Sequence, residues 1–293
     1  MVAIDTQFNG YRTVLLPWAY HHPDVRRAIC IVSALHLGQK TPGLCEKAQR
    51  GRLRMITEFR HRAETDDWSE ILVLSHWAVI ILFLVAEMIS GGDDFSYLVK
   101  MLLSLVDAID AQITSAAPMA FLLQQTRMIQ FFSCPFLGES EAINTLTKGV
   151  RFYSGWVSTV LEHYPDQIRQ DMVFRIIRAM ELASDIYLQQ TLPGSLDQQF
   201  AGTSADIQLL KSLVEDVQCD TPGSPGFVWV YFIGVASSRT VDDREFFRRR
   251  LMGIHSQIGF NNITLGLSGL DRVCRDSGGR WTEMLPSVAT LVM

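Results

Sequence analysis

The stretch ILVLSHWAVIILFLVAEMI, residues 71–89, decides how the rest of the chain is read. Its 19 residues are apolar on every side of a helix and come close to the length that crosses a bilayer. Two features argue against a membrane span. His76 and Glu87 interrupt the run, and the flank Gly91-Gly92-Asp93-Asp94 holds no basic cluster to set an orientation. A helix that is apolar all round in an otherwise polar-surfaced chain is one surrounded by other helices. The expected fold is therefore all-α, with 71–89 as its central helix and no membrane partner.

Working outward, the neighbouring segments keep helical spacing. In HPDVRRAICIVSALHLG, residues 22–38, Val25, Ala28, Ile29, Ile31, Val32, Ala34 and Leu35 form one stripe that opens at Pro23 and closes at Gly38 and the turn Thr41-Pro42-Gly43. After Pro165, Ile168, Met172, Ile176 and Met180 step by four, with Val173 and Ile177 beside them, until Leu192-Pro193-Gly194. Further helices are expected over 95–113, 118–132, 140–163, 204–218, 226–238, 242–258 and 261–275. No set of period-2 strands competes. The most loop-like regions are 191–203 and CDTPGSPG at 219–226, but a boundary there would leave a second unit of about 70 residues, small for an independent core. A single domain over 1–293 is expected.

Composition narrows the function classes. Apolar residues at 48% are enough for a large core, and a net charge of −5 gives the surface no general attraction for phosphate backbones, so autonomous nucleic-acid binding is not expected. The five cysteines, Cys30, Cys45, Cys134, Cys219 and Cys274, are scattered without a CxxC pair, which argues against a structural metal site and for reduced thiols. The opening MVAIDTQFNG has neither a basic n-region nor an apolar h-region, so the expected location is the nucleus or the cytoplasm. No metal and no cofactor is expected.

Each chemistry-bearing group has a structural explanation beside the functional one. His21, His22 and Asp24 precede a helix, where a carboxylate meets the positive end of the dipole. Asp93-Asp94, Asp107 with Asp110, and the acids of ELASDIY at 181–187 lack the spacing that magnesium-diphosphate cyclases need. Phosphate-cradling glycine loops and a GxSxG elbow are missing from the sequence. In DDREFFRRRL, residues 242–251, acids open a helix and Arg244, Arg248, Arg249 and Arg250 follow around Phe246 and Phe247, as the dipole favours; the expected role is a solvated face. Arg50, Arg52 and Arg54 form a weak nuclear-localisation cue. If the core encloses a pocket, its polar candidates are His36, His76 and Glu87, with Trp77, Trp229 and Tyr231 as walls, and a buried Glu near a His would make an acid–base pair. The competing expectation is that these groups satisfy each other or the backbone.

Several stretches together resemble the regulatory domain of fungal-specific zinc-cluster transcription factors. They are HPDVRRAICIVSALHL, with His22-Pro23 and Ala34-Leu35-His36-Leu37; the apolar helix ending in EMISGG; GFVWVYFIGVASSRTVDDREFFRRRL, with Phe246-Phe247; and GRWTEMLP, with Trp281-Thr282-Glu283. The resemblance extends along essentially the whole chain, and its motifs concern packing. It implies an all-helical regulatory domain that receives a signal from a small-molecule effector or a transcription-complex protein, with self-association an open option. Such a signal works by differential affinity for two helix arrangements. Members of that family carry six closely spaced cysteines and a basic linker ahead of this domain, and the sequence here shows neither. The alternative is a helical scaffold reused as a small-molecule-binding protein or an enzyme of fungal secondary metabolism.

Overall fold

Proline marks the helix starts. The computed structural model describes residues 9–63, 70–108, 117–154, 167–192, 196–273, 280–288, 290 and 292. A π-helical turn, Tyr11–Leu15, leads into α1 (Leu16–His21), followed by α2 (Pro23–Gly38) and α3 (Pro42–Ala63). Pro17, Pro23 and Pro42 occupy first turns, where the missing N–H would have no intrahelical partner anyway. Thr41-Pro42-Gly43 is thus not the expected turn: the chain reverses at Gln39–Lys40, and Pro42 already starts the next helix. Then come α4 (Glu70–Ser90), α5 (Phe95–Ala108), α6 (Ala117–Leu137), α7 (Glu139–Leu146), α8 (Val150–Tyr153), α9 (Gln167–Thr191) and α10 (Leu196–Val214). After a 3-10 turn, Ser224–Phe227, the series ends with α11 (Val228–Ser237), α12 (Val241–Ile258), α13 (Asn261–Val273) and α14 (Trp281–Met284). Among the described residues the architecture is all-α, without a strand.

Three segments differ from expectation; the first is 191–203, expected as loop, which is helical from Leu196 onward as the start of α10. The helix expected over 140–163 ends after α7, because Gly149 takes a φ of 81°, a left-handed conformation that interrupts the helix before the short α8. The helix expected over 118–132 instead continues to Leu137 and carries Pro135 near its end. Asp110, Pro165, Pro193, Gly194, Cys274 and the ends of the helices expected over 95–113, 140–163 and 261–275 lie outside the described residues.

The chain divides into two compact units, Asp5–Thr126 and Arg127–Met293. In the first, α4 is the core. Of its apolar window Val73–Ser90, 83% is buried, and Trp77, Ala78, Val79, Ile81 and Leu84 are each at 0% exposure. It packs on α2, whose Val25, Ala28 and Leu35 face inward, and on α5; α2 in turn packs on α3. The all-round apolarity of 71–89 is explained by this enclosure.

In the second unit α11 plays the corresponding part, with every residue buried, and it packs on α9 and α12. Gly234 makes the close approach to α12 possible, since a Cβ there would lie 2.7 Å from the Phe247 ring. The start of α12 is capped by Thr240, whose hydroxyl accepts from the Asp243 N–H at 3.1 Å, and its end by Gly259 at φ 70°.

Candidate functional site

In the Asp5–Thr126 unit the polar centre is built on Glu87. This residue lies one turn from the end of α4, so its side chain reaches the turn that leads to α5. Arg52, from the middle of α3, places Nη1 2.5 Å from Glu87 Oε1 and Nη2 3.1 Å from Asp94 Oδ2, while the Asp94 N–H donates to Glu87 Oε2 at 3.0 Å. The backbone N–H groups of Gly91 and Gly92 donate to the Glu87 carbonyl, and Gln39 Nε2 donates to the Ile89 carbonyl at 3.2 Å, closing the helix end. Gly92 is required here, because a Cβ would sit 2.3 Å from Glu87 Oε2. The Arg52 guanidinium also lies 5.7 Å from the Phe83 ring centroid. Burial pushes the Glu87 carboxyl above its usual value; the Arg52 charge and the Asp94 N–H oppose that shift. The arrangement ties α3, α4 and the start of α5 together through one guanidinium.

The expected acid–base pair does not form. His76 and Glu87 both lie on α4 but eleven residues apart, which is about 16 Å along the axis at 1.5 Å per residue. His76 is buried with its ring 4.2 Å from that of Phe59. His36 is no pocket residue: it lies on the exposed side of α2. Trp77 anchors α4 to α6, donating from Nε1 to Thr126 Oγ1 at 2.8 Å, while the Thr126 hydroxyl donates to the Leu122 carbonyl at 2.9 Å. His22 approaches Ser75 Oγ at 3.5 Å and packs on Trp18; burial, then the charge of His21, lowers its proton affinity. Among the described residues no three His, Cys, Asp or Glu groups converge as a metal set.

The Arg127–Met293 unit holds the remaining candidates in an aromatic core. Trp229 packs on Phe131 at 5.2 Å and on Phe132 at 6.2 Å, and Tyr153 packs on the same Phe131 ring at 5.7 Å. The Trp229 N–H and the Tyr153 hydroxyl are buried and find no hydrogen-bond partner among the described residues. Tyr231 stacks on Phe227 at 5.7 Å, and burial raises its phenol strongly.

The basic run of α12 is not the solvated face that was expected. Arg248 pairs with Asp271, Arg250 donates to the carbonyls of Val217 and Glu215, and Arg244 donates to the Ser238 carbonyl at 2.9 Å; only Arg249 stays outward, near Glu245. Sequence reasoning missed two further joints. Asp243 receives Gln208 Nε2 and Lys211 Nζ, each at 2.9 Å, and the Thr240 hydroxyl at 2.7 Å. Glu139 receives Arg280 at 2.7 Å and the buried Thr282 hydroxyl at 2.6 Å. The spacing Thr240-x-x-Asp243 was a readable capping signal; the partners on α10 were not.

Compared with protein-family models, with curated proteins and with solved structures, the chain matches none.

Proposed function

We propose that the chain is a transcription-factor-like regulatory protein of the nucleus or cytoplasm, acting through a small-molecule effector or a partner protein of a transcription complex. One observation carries this reading. Charged side chains that could serve catalysis are spent on joining helices, Glu87 by Arg52, Asp243 by Lys211 and Arg248 by Asp271, whereas the buried polar atoms left without a partner include the aromatic heads of Trp229 and Tyr153, groups suited to binding. The stretches that resemble fungal zinc-cluster regulators support it, since they supply α2, the end of α4, and the joint between α11 and α12.

The test is a fusion of this chain to an unrelated DNA-binding domain, with transcription from a matched reporter measured against that domain alone. A severalfold change in either direction is expected, and no change would overturn the reading. The second reading, a scaffold reused for small-molecule binding or catalysis, draws on the same unpartnered aromatic heads. Conversion of a bound compound by the purified protein would favour it.

A further inference from the structure

The Trp229 N–H and the Tyr153 hydroxyl pose a physical problem. Trp229 on α11 is 0% exposed and Tyr153 at the end of α8 is 2% exposed, yet neither polar atom has a partner among the described residues. Buried polar groups are nearly always paired, because each one that loses water without a replacement is destabilising. A core that is simply filled needs neither atom, since phenylalanine fills the volume of Tyr153 without the hydroxyl. Trp77 shows the ordinary solution in the other unit: equally buried, it donates to Thr126. The two residues also share a packing neighbour, because both rings lie against Phe131.

We propose that Tyr153 and Trp229, walled by Phe131 and Phe132, form an internal site for a small, neutral aromatic ligand that carries a hydrogen-bond acceptor such as a carbonyl. The proposal rests on the reading of the chain as ligand-responsive and specifies the effector's chemistry. An indole N–H can only donate, so the ligand must accept; a phenol hydroxyl donates or accepts, so it serves the same group or a second one. The walls are rings, which favour a flat apolar body packed edge to face or offset. A charged ligand would need a buried counter-charge, and these rings supply none. Such a ligand would bridge α8 and α11. Because α11 is the buried centre of its unit, holding it in one arrangement is a route from occupancy to a shift in helix packing.

The experiment is isothermal titration of the intact chain with acetophenone, and with ethylbenzene, which has nearly the same shape but no acceptor. Acetophenone is expected to bind saturably at one site and about tenfold more tightly than ethylbenzene. Tyr153→Phe should shrink that preference and Trp229→Phe should shrink it further, with melting curves showing that each variant is folded. Should Trp229→Phe not fold, Tyr153→Phe decides alone, since it removes one oxygen and no packing. Absence of saturable binding, equal affinities for the two compounds, an unchanged preference in Tyr153→Phe, or an ordered water bridging the two atoms in a crystal structure would each overturn the site. A reporter fusion that stays silent while acetophenone binds as described would overturn the regulatory reading and leave the site standing.

Discussion

Arg52 Nη1 stands 2.5 Å from Glu87 Oε1, with the two side chains 8% and 1% exposed. A pair so enclosed is an all-or-none commitment. Each charge has given up its water, so removing one partner strands the other, although a well-packed apolar replacement of both would be tolerated. The same guanidinium holds Asp94, which makes the pair the fastening of the turn between α4 and α5.

Arg52→Met should cost about 3–5 kcal/mol at neutral pH in urea unfolding. The pH dependence has a definite sign. Burial, against the pull of Arg52, holds the Glu87 carboxyl above its ordinary value of 4.5, so its favourable contribution is complete below that value and is lost as pH rises through the raised one. Without Arg52 the carboxyl moves higher still. The difference between variant and parent should therefore be small near pH 4 and widen toward pH 7; a difference constant with pH would mean that Glu87 is not the group left stranded.

Gly92→Ala tests the same centre from the backbone. The added methyl would meet Glu87 Oε2 at 2.3 Å, and Arg52 restrains that carboxylate from moving away. A cost of about 1–3 kcal/mol is expected in the parent chain. In a Glu87→Ala background the same substitution should cost under about 0.5 kcal/mol, giving a coupling that a double-mutant cycle reads directly.

How far the sequence could be read differs by kind of contact. The burial of 73–90 was legible because apolarity on every face has few physical solutions, and the helix start at Pro23 was legible because it depends on neighbours in sequence. The partner of Glu87 was not, since Arg52 comes from another helix and only packing brings it near. The distance between His76 and Glu87 was legible in principle: eleven residues of helix are three turns, too far for proton exchange. The arginines of α12 misled for a different reason. Their order suited the helix dipole, a local rule, while Asp271 and the carbonyls of residues 215 and 217, which engage them, lie on other segments. The stranded heads of Tyr153 and Trp229 leave no mark in sequence at all.

Asp243→Asn should weaken the joint between α10 and α12 by about 2–3 kcal/mol, because the carboxylate accepts from Lys211, Gln208 and the Thr240 hydroxyl. The Thr240 hydrogen bond first, then those of Lys211 and Gln208, hold this carboxyl below its ordinary value of 3.8. Its contribution is thus present above that value and lost as pH falls through the lowered one. Acid unfolding of the parent should be steeper than that of the variant below about pH 4; parallel acid curves would show that Asp243 titrates as it does in the unfolded chain.

The arginine run of α12 gives the sharpest contrast between adjacent residues. Arg249 is mostly exposed, its Nε donating to the carbonyl of Glu245 within the same helix at 3.3 Å and standing 3.9 Å from that residue's carboxylate, so Arg249→Ala should change stability by no more than about 0.5 kcal/mol. Arg250 donates to the Val217 and Glu215 carbonyls just beyond the end of α10, and its guanidinium lies 5.2 Å from the Phe246 ring. Arg250→Ala removes charged donors from backbone acceptors that have no helical partner, at an expected cost of about 1.5–3 kcal/mol. Hydrogen exchange should locate the loss at residues 214–218 and not along α12. Equal effects at the two positions would mean that the run acts as a diffuse charged surface, and Arg250 would then be no clamp.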